Sequence, residues 1–119
     1  MHFSKVKASD LILVHADDAA SFEKGKIDST AWAIHGQIHK LRPDIKVIMH
    51  LHPIYATALS CLKNPSMLPI EQNSARYFNR VSYDSNYSGM ADQIAEGQRL
   101  AALLKDNTRL LMGNHGLLI

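Results

Sequence analysis

Apolar residues recur at helical spacing in two segments of the chain. In the first, residues 28–41, Asp28, Ser29 or Thr30 can cap the N-terminus. Pro43 ends this predicted helix, because its ring disfavours helical geometry at the preceding residue. The apolar stripe of the helix consists of Ala31, Ile34, Ile38 and Leu41.

The second segment, residues 90–105, predicts the longest helix of the chain. Gly97 lies on its apolar face, where the missing side chain would allow a close approach to a neighbouring element. Shorter helices are predicted at residues 54–63, buried on one side, and at residues 71–78. The apolar face of the long helix consists of Met90, Ile94, Ala101 and Leu104.

Two segments in the first half of the chain are typical of strands. Residues 11–16 form an apolar run that predicts a short buried strand, closed by the turn-forming pair Asp17 and Asp18. Residues 45–51 are rich in strand-forming side chains, and Pro53 ends this strand because it has no N–H for the ladder.

Two further strands are predicted at residues 81–83 and 109–119, the second interrupted by a Gly-containing turn at residues 113–116. The polar stretches 21–27 and 86–89 predict a loop and a turn. Strands that alternate with helices favour an α/β domain of stacked layers, and 119 residues suit one domain, 1–119. Periodicity alone leaves the strand directions open.

Charge and cysteine content exclude several classes of function. Lys and Arg number 13 against 11 Asp and Glu, and a net charge of +2 predicts neither a nucleic-acid partner nor an anionic membrane. No apolar run approaches the ~20 residues of a membrane span. The single cysteine, Cys61, is expected to be a core thiol, and its lack of a disulfide partner favours a reducing cytoplasm.

Three of the seven histidines predict a metal site. His50 and His52 are two residues apart on a predicted strand, so both side chains leave the same face. His115 lies between glycines that allow the backbone to approach closely. Three histidines with one open position are a catalytic zinc arrangement. From the spacing alone, however, one buried and one exposed-edge imidazole is the more common explanation of such a pair.

Other polar groups have more ordinary interpretations. His35 and His39, four apart on the first helix, are expected to pack and form hydrogen bonds, since no Glu follows His35. Glu96 and Arg99 predict a surface ion pair. A group of tyrosines and arginines is expected to anchor a loop and not to bind an anionic substrate. The group consists of Tyr77, Tyr83, Tyr87, Arg76 and Arg80.

Three motifs, in this order along the chain, resemble the class II aldolase/adducin family. They are the stretch from Arg42 through His50-Leu-His52-Pro53, the run Leu68-Pro-Ile-Glu71-Gln-Asn73, and the ending Leu111-Met-Gly-Asn-His115-Gly-Leu-Leu118. The opening, residues 2–11, is similar as well. The resemblance implies a three-layer α/β/α sandwich with a largely antiparallel central sheet.

The resemblance also implies a chemistry. It makes His50, His52 and His115 the ligands of a divalent metal, usually zinc, for aldol cleavage or decarboxylation through a metal-stabilised enolate of a small carbonyl or sugar-derived substrate. The position of the family's acid/base glutamate is occupied by Ala31, which cannot transfer a proton. That departure points to the adducin-like branch, and leaves a non-catalytic assembly module as the alternative.

The chain is expected to be an incomplete family domain, because the family's phosphate-binding loop and the helices after the last strand are missing. It is also expected to form homo-oligomers, as family members do. Losing those helices should uncover five apolar side chains, which are Leu110, Leu111, Leu117, Leu118 and Ile119.

Overall fold

The structure is a computed structural model that describes residues 2–18, 27–86 and 89–119. The predicted loop at 21–27 lies outside the described residues except for Ile27, and so do Tyr87 and Ser88 of the predicted turn. Among the described residues, no helix is both long enough and apolar enough to cross a membrane.

A four-stranded sheet forms the centre of the molecule. Its strands are β1 (His50–Leu51), β2 (Ser82–Asp84), β3 (Leu110–Met112) and β4 (Gly116–Leu118). They lie in the order β1-β4-β3-β2. β4 pairs antiparallel with both β1 and β3, whereas β2 pairs parallel with β3. The largely antiparallel sheet that the family resemblance implied is therefore present.

The first helix, α1, covers residues 29–41 in three consecutive segments, Ser29–Ala31, Trp32–Gly36 and Gln37–Leu41. The middle segment is wound as a π-helix. The Asp28 carboxylate caps the N-terminus by accepting from the backbone N–H groups of Thr30 and Ala31, each at 3.0 Å. The cap and the end at Leu41 confirm the sequence prediction, since Pro43 follows.

The long helix, α4 (Ile94–Leu104), packs across α1 at a point where a side chain would not fit. A Cβ added to Gly97 would lie 1.8 Å from the carbonyl oxygen of Ala33. The predicted close approach at Gly97 is therefore confirmed, and the two helix backbones touch. The helix is shorter than expected, and Met90 and Ile94 are exposed.

Two helices lie on one face of the sheet and a third lies on the other. Buried side chains of α1 and α4 join the sheet in one core, made of Ile34, Ile38, Leu100, Ala101, Leu104, Leu110, Met112 and Leu118, with Ala91. The opposite face carries Leu111 and Leu117, against which α2 (Ile54–Ser60) packs. This arrangement is a three-layer α/β/α sandwich.

Several predicted elements are shorter in the structure. Residues 45–49 precede β1 without being strand, although Met49 and Ile119 exchange backbone hydrogen bonds of 2.8 and 2.9 Å. The helix predicted at 71–78 is reduced to α3 (Gln72–Ala75), which Glu71 caps. Short strands suffice here because the sheet is held by its hairpin and by both helical layers.

The strand predicted at residues 11–16 is wrong. Leu11, Ile12 and Leu13 are 71%, 63% and 100% exposed, and residues 11–15 form no ladder with any described strand. An apolar run does not reveal whether a neighbouring strand is available to pair with it, and pairing decides whether a strand forms.

Two burial predictions are also wrong. Cys61 is exposed, because α2 ends at Ser60 and the chain turns outward at the next residue. Leu110, Leu111 and Leu118 are buried by the helices and loops present, while Ile119 is exposed as expected. These three leucines are therefore better covered than the sequence predicted.

Candidate metal centre

His50 and His52 are placed by the edge strand β1. His50 lies opposite Leu118 of β4, and Pro53 follows His52 and starts α2. Since alternate residues of extended chain point to the same side, both imidazoles leave the sheet on the face that carries α1 and α4. His50 is half-buried and His52 is exposed, so the pair spans the boundary between core and solvent.

His115 is placed by the turn that joins β3 and β4, residues 113–115. Three backbone N–H groups of this turn have partners in three different elements. Gly113 donates to Asp84 at 2.8 Å, Asn114 to Ser60 at 3.1 Å, and His115 to Met112 at 3.1 Å. Asn114 adopts a left-handed conformation (φ 53°), which asparagine tolerates. The turn is thus fixed from β2, α2 and β3 together.

The glycines of this segment are required by close contact. A Cβ on Gly116 would lie 2.5 Å from Cδ2 of His52 and 2.6 Å from the Leu51 carbonyl oxygen. A Cβ on Gly113 would lie 2.5 Å from the Asp84 carbonyl oxygen. The sequence prediction that glycines permit a close approach here is confirmed, and the approach brings His52 and His115 together.

The three imidazoles converge on one point. The Nε2 atom of His50 lies 3.0 Å from Nε2 of His52 and 3.2 Å from Nε2 of His115. The ligand atoms of all three lie within 4.8 Å of one another. Nitrogens that bind zinc tetrahedrally at 2.0–2.1 Å are roughly 3.3 Å apart, close to these distances. As hydrogen bonds, the same two contacts would have to share the single N–H or the single lone pair of the His50 Nε2 atom.

Burial and mutual repulsion keep His50 and His115 neutral. Burial, together with the neighbouring His115 and His52, lowers the pKa of His50 to about 4, against a backbone interaction with Leu117. Burial also lowers the pKa of His115, opposed by the charges of Asp84 and Glu96. The neutral imidazole is the form that binds a metal ion.

A cavity of about 480 Å³ opens beside the three histidines. α1 contributes Thr30 and Ile34 to its wall, whereas Ala31 lines a different cavity with Trp32. The methyl group at the family's acid/base position is therefore turned away from this wall. The remaining lining residues are Gly89, Met90, Ala91 and Asn114.

The rival pair, His35 and His39, lies on the other side of α1. His39 Nδ1 is 3.2 Å from the carbonyl oxygen of Ile45, and burial lowers the pKa of His35. Within the described part of the chain, the histidine triad is the one group of three or more candidate ligands. The packing and hydrogen-bonding interpretation of His35 and His39 agrees with this placement.

Glu96 and Arg99 form part of a largely buried network and not the surface pair predicted from their spacing. Arg99 binds Glu96 through Nε (2.8 Å) and Nη2 (2.7 Å), and binds both carboxylate oxygens of Asp84 (2.9 and 2.6 Å). Sequence reasoning missed Asp84. Its one signal was an acidic residue directly after a predicted strand, which is also typical of a turn.

Tyr77 and Tyr83 serve as anchors. The Tyr83 hydroxyl accepts from the backbone N–H of Met67 at 2.8 Å, and the Arg109 guanidinium lies 5.0 Å from the Tyr77 ring centre. Both contacts hold loop 61–71 and α3 to the sheet. The predicted anchoring role fits these two residues, and the arginine above Tyr77 is Arg109.

The low pKa of His50 predicts a pH effect in the metal-free protein. The folded state should keep this ring neutral down to about pH 4, whereas the unfolded chain binds a proton near pH 6.5. Stability should therefore fall as pH drops from about 6.5 to about 4. NMR titration should place the His50 midpoint well below 6.5, unchanged in His39→Ala. A midpoint at or above 6.5 would contradict the burial described.

Known proteins with similar sequences include a decarboxylase and an adducin. The chain is 31% identical over 116 residues to the decarboxylase NovR of Streptomyces niveus, covering 97% of this chain and 43% of NovR. It is 33% identical over 122 residues to gamma-adducin of Mus musculus, covering 98% of this chain and 17% of that protein. The chain spans less than half the length of these relatives.

A solved structure agrees with the fold. The crystal structure of an aldolase II superfamily protein from Pseudomonas syringae superposes with a TM-score of 0.70 at 37% identity. The match covers 77% of this chain and 36% of that one. The model of the class II aldolase and adducin N-terminal domain matches residues 1–119. The chain therefore belongs to the class II aldolase and adducin N-terminal domain family.

Proposed function

We propose that this protein is a divalent-metal-dependent, lyase-like protein in which His50, His52 and His115 bind Zn²⁺. Its substrate is a small carbonyl or sugar-derived molecule. The observation that carries the proposal is the convergence of three Nε2 atoms beside a cavity. Because His52 is exposed, a molecule from solvent can reach the remaining coordination position from its side.

The donor set suits this ion better than the harder alternatives. Three neutral imidazole nitrogens fit zinc, whereas calcium and magnesium prefer oxygen ligands. A bound divalent ion supplies Lewis-acid stabilisation of negative charge that develops on a substrate oxygen. The protein contributes ligand positions fixed by β1 and the 113–115 turn.

The cavity wall indicates what kind of substrate fits. Ile34, Met90 and Ala91 give it an apolar side, while Thr30 and Asn114 offer polar groups. None of its described lining residues is Lys or Arg, the side chains that bind phosphate best. An uncharged or aromatic group beside the carbonyl fits this wall better than a phosphate.

Ala31 favours decarboxylation over aldol cleavage. Aldol cleavage requires a base that removes a hydroxyl proton, and a methyl group cannot do this. Loss of carbon dioxide from a β-keto acid, whose carboxylate is one carbon removed from the carbonyl, needs no such base, because the electron pair of the broken carbon–carbon bond forms the enolate. The relative NovR bears the name decarboxylase, which supports the same choice.

A non-catalytic, adducin-like module is the second candidate. It is favoured by the likeness to gamma-adducin together with the methyl group at Ala31. On this alternative the three histidines bind a metal, or one another, only to hold β1 to the 113–115 turn. Metal-dependent turnover separates the two candidates.

A cytoplasmic homo-oligomer belongs to the same proposal. Several large apolar side chains remain on the surface, among them Leu13 of the N-terminal segment and Tyr55 of α2. Exposed apolar groups of this size are typical of surfaces that associate.

The metal assignment predicts about one zinc ion per chain. His52→Ala should lower metal content several-fold, because it removes one of three ligands. His39→Ala is the matched control, since this residue contacts Ile45 on the far side of α1. Elemental analysis of both purified variants measures the effect. Equal metal loss in the two variants would refute the assignment.

The proposed reaction predicts a preference among substrates. Zinc-loaded protein should release carbon dioxide from a β-keto acid faster than the same concentration of free zinc. It should leave fuculose- and ribulose-type phosphates uncleaved, given Ala31 and the cavity wall. His52→Ala should lose the decarboxylation. Robust cleavage of a sugar phosphate would overturn this choice, and no turnover with either class would favour the adducin-like alternative.

A further inference from the structure

Three charged side chains meet where β2 ends beside α4. The Arg99 guanidinium donates to both carboxylate oxygens of Asp84 and to both of Glu96, over distances of 2.6–2.9 Å. Arg99 also lies 3.4 Å from the carbonyl oxygen of Asn86, and Asp84 Oδ1 accepts from the Asn86 N–H at 3.0 Å. The network therefore links helix, strand end and following loop.

The Asp84 side chain is almost fully withdrawn from solvent. It is 6% exposed, whereas Glu96 is 15% and Arg99 32% exposed. Burying a carboxylate is unfavourable unless it is paired and its oxygens accept hydrogen bonds. Arg99 meets that requirement at Asp84, and one guanidinium between two carboxylates leaves a net charge of −1.

The backbone of the same residue holds the turn that carries His115. The Asp84 carbonyl oxygen accepts from Gly113 N–H at 2.8 Å, and Asp84 lies opposite Met112 in the parallel β2–β3 pairing. The absence of a side chain at Gly113 permits this contact, because a Cβ would approach the oxygen to 2.5 Å. The backbone N–H of Glu96 donates instead to the Gln93 carbonyl oxygen at 3.0 Å, at the start of α4.

We propose that Asp84, held in place by Arg99, is a positioning residue for the histidine site. Asp84 fixes the position of the 113–115 turn and therefore the position of His115. The inference rests on the proposed metal binding. Ligand atoms must be held to within about 0.5 Å of their working positions, so the element that carries a ligand must itself be fixed. Asp84 fixes it from β2, as Ser60 does from α2.

Two single-charge variants separate positioning from simple electrostatics. Asp84→Asn and Glu96→Gln each remove one negative charge beside Arg99, and Asp84 is the residue whose carbonyl oxygen accepts the hydrogen bond from Gly113 described above. Asp84→Asn should weaken zinc binding by about tenfold, the lower end of what loss of a ligand-supporting contact causes. Glu96→Gln should weaken it by less than about threefold. Equal weakening in the two variants would overturn the proposal.

A third variant controls for loss of stability. Ser82 lies at the opposite end of β2, where its hydroxyl donates to Leu104 and accepts from Asn107. Ser82→Ala should lower Tm while leaving the zinc dissociation constant within about twofold, since the Asp84 end is untouched. Zinc affinity that tracks Tm across all three variants would reduce Asp84 to a structural residue and refute the proposal.

Amide hydrogen exchange of the metal-free protein provides a readout independent of zinc. In Asp84→Asn, the Gly113 and His115 amides should exchange at least severalfold faster, with little change in Glu96→Gln. If the unmodified protein fails to bind zinc, the proposed function is wrong, and this comparison still decides the role of Asp84. Unchanged exchange at Gly113 in Asp84→Asn would contradict it.

Discussion

The register between β1 and β4 is the constraint on which the candidate site depends. With His50 opposite Leu118 and Leu51 opposite Leu117, His50 emerges on the face that holds the main core. A slip of one residue would turn every side chain of β1 to the other face and carry His50 away from His115. Gly116 allows this register, because its bare backbone lies against Leu51 and His52.

The sequence predicted the convergence of His50, His52 and His115 better than it predicted the sheet. The His50 and His52 spacing determines that both rings leave one face of extended chain, and the glycines around His115 indicated a close backbone approach. These are local properties. The parallel pairing of β2 with β3 and the exposed path of Leu11–Leu13 depend on which segments meet in space, and the family resemblance, not periodicity, supplied the largely antiparallel sheet.

Asp84 illustrates the same limit at the site. Glu96 and Arg99 are three residues apart on α4, so their pairing could be predicted from spacing alone. Their burial also involves Asp84, which lies fifteen positions before Arg99 and binds it. Three-residue spacing on a helix predicts contact, but it does not indicate which face of the helix a strand will cover. The core side of α4 could be predicted only in part, since Met90 and Ile94 of the apolar stripe remain exposed.

The proposed function requires that His50, His52 and His115 bind zinc together, with a fourth position open. X-ray absorption at the zinc edge, on protein loaded with one equivalent of zinc, measures the ligands of the ion. We expect three imidazole nitrogens at about 2.0–2.1 Å from the zinc and one further light atom. A sulfur at about 2.3 Å, which would implicate the exposed Cys61, or a shell without imidazole scattering, would contradict it.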